Sequence, residues 1–265
     1  HKGILGKSIL NSLKKSKKSG YKVSLYKNNI LDFKKLKKWV SKVDIIIHLA
    51  AVTAINKVNT NKNYAKKVNY SATKVLVKLL SSSDYNKKLI FISSSHVYSS
   101  SQNKLSENSL TKPISYYGRL KLLSENEIIK NLTNYTIIRL FSYYSKEQSR
   151  DFLIPALIDK IKYSKDSKLK IRNFNHVRDI SSIDYVTVQI LRLIFSNYKG
   201  TINCGSGQGI TIKKLAEKIA LVKFKKKITL DMRFKTKKIT KIVSNNAKLL
   251  KITGIKKEDD LFKII

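Results

Sequence analysis

The sequence predicts an α/β fold, a doubly wound parallel sheet followed by a smaller C-terminal α/β lobe, and two observations carry that prediction. Strand and helix patterns alternate through the first 141 residues, the order that places helices on both faces of a sheet. Three strand candidates, VDIIIHLA, KLIFISSS and YTIIRLF, are short continuous apolar runs, as parallel strands covered on both faces require.

HKGILGK opens the chain with two glycines three apart and leads into SILNSLKKSKKS, which is helical in period and has the look of a glycine-rich phosphate loop feeding a helix. YKVSLY reads as a strand, and DFKKLKKWVSK as a helix with Asp32 as its N-cap. VDIIIHLA is a buried strand, NYAKKVNYSATKVLVKLLSS a long helix and KLIFISSS a second buried strand. A helix starts near Tyr116, runs through LKLLSENEIIKN and leads to the strand YTIIRLF. Beyond Phe141 the pattern loosens into a helix at FLIPALIDKIK, a short strand at KLKIR and a helix near DYVTVQILRLIF. A strand at GTINCG, a helix at IKKLAEKIA and a lysine-rich tail ending in a short helix complete the chain. No linker or internal repeat divides it. The reading is therefore a first domain over 1–141, with 175–200 returning to it, and a lobe from 142–174 and 201–265 packed above.

With 42% hydrophobic residues in 265, the chain sustains a substantial core. Its longest apolar stretch, 43–55, is too short and polar for a bilayer, and no signal-peptide pattern opens the sequence. The single Cys204 excludes an intrachain disulfide and a multi-cysteine metal cluster, and a soluble, reducing, cytoplasmic setting is expected. The net charge of +38 comes from lysines spread from Lys2 to Lys263, while asparagine, isoleucine and serine are inflated and proline, glycine and alanine scarce. That is the codon bias of a genome rich in A and T. Arginine, which suits bidentate base and phosphate contacts, occurs only seven times, so no nucleic-acid or membrane partner is expected. The positive field still favours an anionic substrate.

YYGRLK puts Tyr117 and Lys121 a turn apart on one helix face, where a nearby ammonium favours phenolate and proton exchange near neutral pH. Among 14 tyrosines and so many lysines, that pattern alone also arises by chance. FISSSHVY sets Ser94 at the end of a parallel strand, above the ligand crevice, as a hydroxyl for a substrate carbonyl or alcohol; the bland reading is a serine-rich turn. His96 is either a second proton donor or a ring filling space beside the strand. His48 reads as structural, and His1 and His176 lack metal partners, so no metal is expected.

With these motifs in order, the chain resembles the extended short-chain dehydrogenase/reductase family, the NAD-dependent epimerase/dehydratase group that acts on nucleotide sugars. HLAA at 48–51, VNYSATKVLV, SSSHVY, PISYYGRLK with SEN after it, IIRLFSYYS, HVRDISSIDYV and TINCGSGQGITIKKLAE match the family's motifs in sequence. The resemblance implies a Rossmann-type sheet binding NAD or NADP. Tyr117 would be the acid/base, Lys121 would hold the nicotinamide ribose and tune Tyr117, and Ser94 would orient the reacting oxygen, with His96 as a candidate second acid. Gly3 and Gly6 would approach the pyrophosphate, Asn29 and Ile30 would stand beside the adenine, and Leu49, Ala50, Ala51 and Asn69 would line the adenosine side. Ser95, Ser142, Arg178 and Arg233 would face the substrate, the arginines on its phosphates.

Departures from the family pattern narrow the reaction. Ser95 and His96 stand where the dehydratases have an adjacent Asp–Glu pair, which sets dehydration aside. Epimerisation and 4-keto reduction share the same three residues and both stay open, although the short connection after YKVSLY and the segment AAVTAINKVNTN are most like the reductase branch. YKVSLY ends in Lys27 with no carboxylate for a ribose hydroxyl, which permits NADP. The alternative function is a non-catalytic NAD(P)-binding regulatory or subunit protein of the same fold. A homodimer through a four-helix bundle, built from helices near 64–80 and 116–130, is also expected. Set against the family's loop, Gly3 and Gly6 are the middle and last glycines, so a first glycine and the central first strand are expected to precede His1.

Overall fold

The computed structural model describes residues 2–15, 20–82, 87–164 and 168–255. In chain order these form α1 (Ile4–Lys15), α2 (Phe33–Val40), β1 (Ile45–His48), α3 (Ile55–Thr60), α4 (Lys62–Lys66), a π-turn (Lys67–Ser71), α5 (Ala72–Ser81), β2 (Lys88–Ser94), α6 (Tyr116–Asn131) and β3 (Tyr135–Leu140). There follow β4 (Ser142–Tyr144), α7 (Leu153–Tyr163), β5 (Lys168–Leu169), β6 (Val177–Ser182), α8 (Ile183–Ile194), β7 (Gly200–Cys204), β8 (Gly209–Thr211), α9 (Ile212–Phe224), β9 (Thr229–Leu230), β10 (Lys241–Ile242) and α10 (Ala247–Thr253).

The main sheet is parallel throughout, in the order β1-β2-β3-β7. Strand β2 shows why. Leu89 and Phe91 enter one apolar cluster with Leu36 and Val40 of α2, Leu76, Val77 and Leu80 of α5 and Ile128 of α6. Ile90 and Ile92 enter the opposite cluster with Leu5 and Ile9 of α1, Val186, Ile190 and Leu193 of α8 and Leu249 of α10. A two-residue alternation with both faces apolar yields the continuous apolar run, and three layers result.

YKVSLY forms no strand, contrary to the sequence expectation. A parallel strand exists only through the ladder of a neighbour, and among the described residues none pairs with the edge of β1 away from β2. Side chains hold the segment instead: the Trp39 indole donates to Ser24 Oγ at 2.9 Å, and the Tyr26 hydroxyl donates to the carbonyls of Asn29 and Asp32 at 3.0 Å. Asp32 does cap α2, accepting from the Lys35 amide at 3.1 Å.

The second lobe begins where β3 passes through Phe141 into β4. There β4 pairs with β6, which also takes β10 in parallel and β8 antiparallel; β5 and β9 form a separate parallel pair. Helices α7 and α9 close its core around Leu157, Ile161, Leu215 and Ile219. The expected boundaries shift in two places. The stretch 175–200 was expected to rejoin the first domain whole, but β6 lies in the small sheet and the return starts at α8. Conversely, β7 pairs with β3 and α10 packs on α8 and β7, so 201–204 and 247–253 lie on the main sheet. Ile202 and Cys204 are the apolar face that earns β7 its place there. Residues 16–19 of the first predicted helix and 256–265 of the tail lie outside the described residues.

Two close contacts at the ends of β1 and β2 are testable. A Cβ added to Gly118 of α6 would lie 2.2 Å from the His96 carbonyl oxygen and 2.9 Å from its carbon, so only glycine lets α6 seat on the turn after β2. Gly118→Ala is expected to lower unfolding stability by about 1–3 kcal/mol in denaturant titration, since backbone rather than a flexible side chain must move. His48 is buried and its Nε2 pairs with Thr73 Oγ1 at 2.9 Å. Burial first and the Lys121 charge second hold its pKa down to about 3, so the folded ring stays neutral while the unfolded one protonates near pH 6.5. The stability this represents is present above pH 6.5 and is lost as pH falls towards 3, a ceiling of about 5 kcal/mol. His48→Gln, which keeps a polar partner for Thr73, is therefore expected to flatten the fall in melting temperature between neutral pH and pH 4. A slope as steep as the parent's would show that other groups drive it.

Candidate active site

Helix α6 is capped by Ser115, whose Oγ accepts from the Gly118 amide at 3.0 Å. From that start, Tyr117, Lys121 and Glu125 follow at four-residue intervals and share one buried face, with exposures of 7, 3 and 0%. Opposite them β2 ends in Ser93 and Ser94, and a tight 3₁₀ turn over Ser95–Val97 reverses the chain, with Ser94 Oγ accepting from the His96 amide at 3.2 Å. The Tyr117 hydroxyl faces Ser94 closely enough for that side chain to act on the phenol, and the His96 ring stands edge-on to it at 5.6 Å between centroids. Lys121 Nζ lies 6.0 Å from the centre of the Tyr117 ring and 4.6 Å from that of Phe91, and donates to the Ile92 carbonyl at 2.7 Å. Ser94, Tyr117 and Lys121 thus converge at the C-terminal edge of the parallel sheet, where an open α/β sheet presents its crevice.

The electrostatics of this cluster differ from the sequence expectation. Burial holds the Tyr117 phenol well above its ordinary value; the Ser94 side chain pulls down less, and Tyr143 of β4 pushes up. Desolvation of the phenolate outweighs any ammonium nearby, so Tyr117 is poised to give a proton rather than to stand ionised. Lys121 is itself brought down to about 8 by burial, with Glu125 raising it in part. His96 is exposed by surface area yet desolvated by the protein around it, which is the signature of a cleft wall. Burial and then the Arg178 charge keep its pKa below the ordinary value. The ring is neutral at neutral pH, which favours the space-filling reading over the second acid.

The remaining expected residues fall in several places. Gly3 opens α1, with nothing within 4 Å of a Cβ built on it, and Gly6 is buried in the same helix. An ion pair of 3.6 Å between Lys7 and Glu147 sets the first turns of α1 beside the chain that leaves β3 and β4, at the same sheet edge as Tyr117. Leu49, Ala50 and Ala51 run out of β1 toward Val52, and the Asn69 side chain clamps both backbone groups of Val52 at 2.7 and 2.9 Å. Asn69 reaches it from the π-turn, and its own carbonyl accepts from Ser124 of α6 at 2.8 Å. Asn29 spends its side-chain oxygen on the Leu31 amide, and Ile30 packs at the edge of the core. Ser95 is buried and Ser142 exposed. Arg178 shares the cleft with His96, its guanidinium given to the carbonyls of Val177 and Thr240 and to Thr240 Oγ1. Arg233 instead pairs with Asp231 at 2.6 Å, its side chain 79% exposed, and no contact among the described residues joins it to the cluster. No group of metal-ligating side chains is found among the described residues, and no helix there is long and apolar enough to cross a membrane.

Four residues of the site escaped the sequence reading. Glu125, Arg139 and Tyr98 form a buried polar chain behind Lys121, and Tyr143 faces Tyr117. The spacing of 117, 121 and 125 could have found Glu125; nothing local signals Tyr143. A dinucleotide fits what is present. Among the described residues Lys121 has a single acceptor, Ile92 O, so a buried ammonium keeps two N–H bonds for a vicinal diol, and the first turns of α1 lie beside the chain that leaves β4.

Known proteins share this architecture. RMD from Pseudomonas aeruginosa, solved in complex with NADPH, superposes with a TM-score of 0.85 over 99% of this chain and 93% of that one, at 20% identity. MoeE5, solved with UDP-glucuronic acid and NAD, reaches 0.82 over 99% and 93%, at 18% identity. By sequence, methionine adenosyltransferase 2 subunit beta from Rattus norvegicus is 24% identical over 181 residues, 66% of this chain and 53% of the relative. The chain thus spans about half the length of the curated relatives it matches. The model of the RmlD substrate binding domain matches residues 1–221, and with that match over a Rossmann-type sheet the chain belongs to the RmlD family of extended short-chain dehydrogenase/reductases.

Proposed function

We propose that this chain is an NAD(P)-dependent enzyme that reduces or epimerises a nucleotide-activated sugar, with reduction of a 4-keto sugar the favoured direction. The observation that carries this reading is the Tyr117–Ser94 pair at the sheet edge with Lys121 packed behind it. NAD(P)H, when bound, supplies the hydride. Ser94 positions the carbonyl oxygen, and Tyr117, kept protonated by burial, gives its proton to that oxygen as charge develops. The Lys121 ammonium stabilises the phenolate left behind and holds the nicotinamide ribose through its two remaining N–H bonds. Gly3 and the first turn of α1 receive the pyrophosphate, and Leu49, Ala50 and Ala51 border the adenosine. Arg178 turns from Thr240 to the diphosphate of the substrate. The bound NADPH, NAD and UDP-sugar of the structural neighbours support this assignment of ligands.

Reduction is favoured over epimerisation by the short connection after YKVSLY and the segment AAVTAINKVNTN, the features most like the reductase branch. A second reading, a non-catalytic subunit that keeps the cofactor pocket, is favoured by the curated relatives, which are themselves subunits of methionine adenosyltransferase. A panel of nucleotide sugars and 4-keto sugars, followed by NADH and NADPH absorbance separately, distinguishes the two. Turnover with a 4-keto sugar is expected, and Tyr117→Phe is expected to lower kcat roughly 10²–10⁴-fold with cofactor binding retained. Cofactor binding with no turnover on any sugar would favour the subunit reading, and unchanged turnover in Tyr117→Phe would sink the mechanism.

The proposed homodimer would join the outer faces of α6 and of the rod formed by α4, the π-turn and α5, which the Tyr70–Glu127 hydrogen bond and the Lys74–Glu127 ion pair tie together. Those faces expose Leu123 and Tyr64 but also Lys62, Lys67, Lys74, Arg119 and Lys130. Like charges would meet across the two-fold, so the dimer fraction in sedimentation is expected to rise with salt as they are screened. A monomer at every salt concentration would exclude the bundle.

A further inference from the structure

Residues 145–152, the stretch between β4 and α7, join parts of the molecule that the main sheet keeps apart. Helix α1 lies on one face of that sheet, with Leu5 and Ile9 against Ile90 and Ile92 of β2. Helix α3 belongs to the other face. Its Val58 packs with Tyr117 and Leu120 of α6, and α6 sets Ile128 against Leu89 and Phe91. Glu147 pairs with Lys7 of α1 at 3.6 Å, and Asp151 with Lys57 of α3 at 3.1 Å. A segment held to helices on opposite faces of a sheet must cross its edge. Lys7 lies in the first turn of α1, and α3 follows the C-terminal end of β1, so the edge crossed is the one where the crevice opens.

The two halves of the span are held separately. Gln148, buried, donates Nε2 to the Tyr143 carbonyl at 3.1 Å and its amide to the Ser145 carbonyl at 3.0 Å, which fastens the first half to the end of β4. In the second half both oxygens of Asp151 are engaged. Asn56 Nδ2 donates to Oδ1 at 2.7 Å, and Lys57 Nζ and Ser149 Oγ serve Oδ2 at 3.1 and 3.2 Å. The Asp151 side chain is 23% exposed and that of Glu147 64%, so the hold lies mainly at Asp151.

We propose that residues 145–152 are a strap across the dinucleotide crevice, latched by Asp151 to Asn56 and Lys57, and that release of this latch governs the entry and exit of NAD(P). This rests on the reading that the dinucleotide lies along that edge, from α1 to Tyr117. A latch differs from a contact with the cofactor. Loss of a contact speeds exit alone, whereas loss of a latch lowers the barrier in both directions. Entry and exit then quicken together, and Kd changes less than either rate.

The test is stopped-flow binding and release of NADPH and NADH, followed by their fluorescence at fixed ionic strength, in the parent, Asn56→Ala and Lys57→Gln. Each variant is expected to raise both rate constants roughly 3–10-fold. Lys57→Gln separates a latch from simple attraction: loss of a positive charge slows the approach of an anionic dinucleotide, and the latch predicts faster entry. Asn56→Ala leaves the net charge unchanged. Adding Asp151→Asn to Lys57→Gln is expected to change the rates little further, because both substitutions open the same latch. Unmoved rates, exit that quickens without entry, or slower entry in Lys57→Gln overturns the strap. A parent protein that binds neither dinucleotide overturns the crevice reading and the strap with it, while binding with unmoved rates overturns the strap alone.

Discussion

The buried Glu125–Arg139 ion pair is the constraint on which the rest of the first lobe depends. Two ions removed from water cost several kcal/mol each, offset only when their remaining donors and acceptors are filled. Here they are filled by residues from three places: Ser93 on β2, Tyr98 and Glu107 on the loop after it, and Asn203 on β7 through Tyr98. The requirement for complete satisfaction therefore fixes the order and depth of α6, β2, β3 and β7 together. Because α6 carries Tyr117 and Lys121 on the face that ends in Glu125, the same requirement fixes where the phenol stands. Gly118 completes the arrangement by letting the helix touch the turn after Ser94.

A second polar hub joins the lobes. Asp179 of β6, buried, accepts from the amide and hydroxyl of Ser206, the amide of Gly207, and the amide and hydroxyl of Ser244. These bonds tie the small sheet to the turn that follows β7 and to the segment that follows β10. At Gly205, a side chain would come within 2.8 Å of both Ser244 Oγ and Asp179, which accounts for glycine in the stretch NCGSG. The loop after β2 is stitched to the same region, with the Leu105 amide donating to the Val243 carbonyl and the Asn245 amide to the Leu105 carbonyl, both at 2.7 Å. Directional bonds of this kind set a cleft width more narrowly than apolar contact does, and His96, Tyr143 and Arg178 line the result.

What the sequence made legible follows from the range of the forces involved. The buried strands could be read because two covered faces impose a local apolar run, and Tyr117, Lys121 and Ser94 because helix spacing and strand ends are local geometry. The two-residue strands β9 and β10 could not, since each exists through pairing with residues far along the chain, as Thr229 with Lys168 and Lys241 with Val177. YKVSLY fails for the converse reason, having a strand's alternation without a ladder partner. Tyr143 reaches the site only because the chain leaves one sheet for another at Phe141. Spacing reports only the lysine one turn from Tyr117, whereas desolvation of the phenol depends on every atom packed around it.

That distinction also explains how a chain of net charge +38 can hold a discriminating site. Most of its lysines end in water, where their field is screened within about 10 Å and carries no geometry. The buried or half-buried cations behave differently. Lys88 gives its ammonium to the carbonyls of Leu193, Ile194 and Ser196 at the end of α8, Lys121 gives its own to Ile92, and Arg139 and Arg178 direct planar forks at fixed acceptors. Each of these four is directed at fixed acceptors and partly or wholly shielded from salt, so each acts at a defined point. On the proposed function, the surplus of lysine would draw an anionic ligand towards the molecule, and the few enclosed cations would determine where on it that ligand is read.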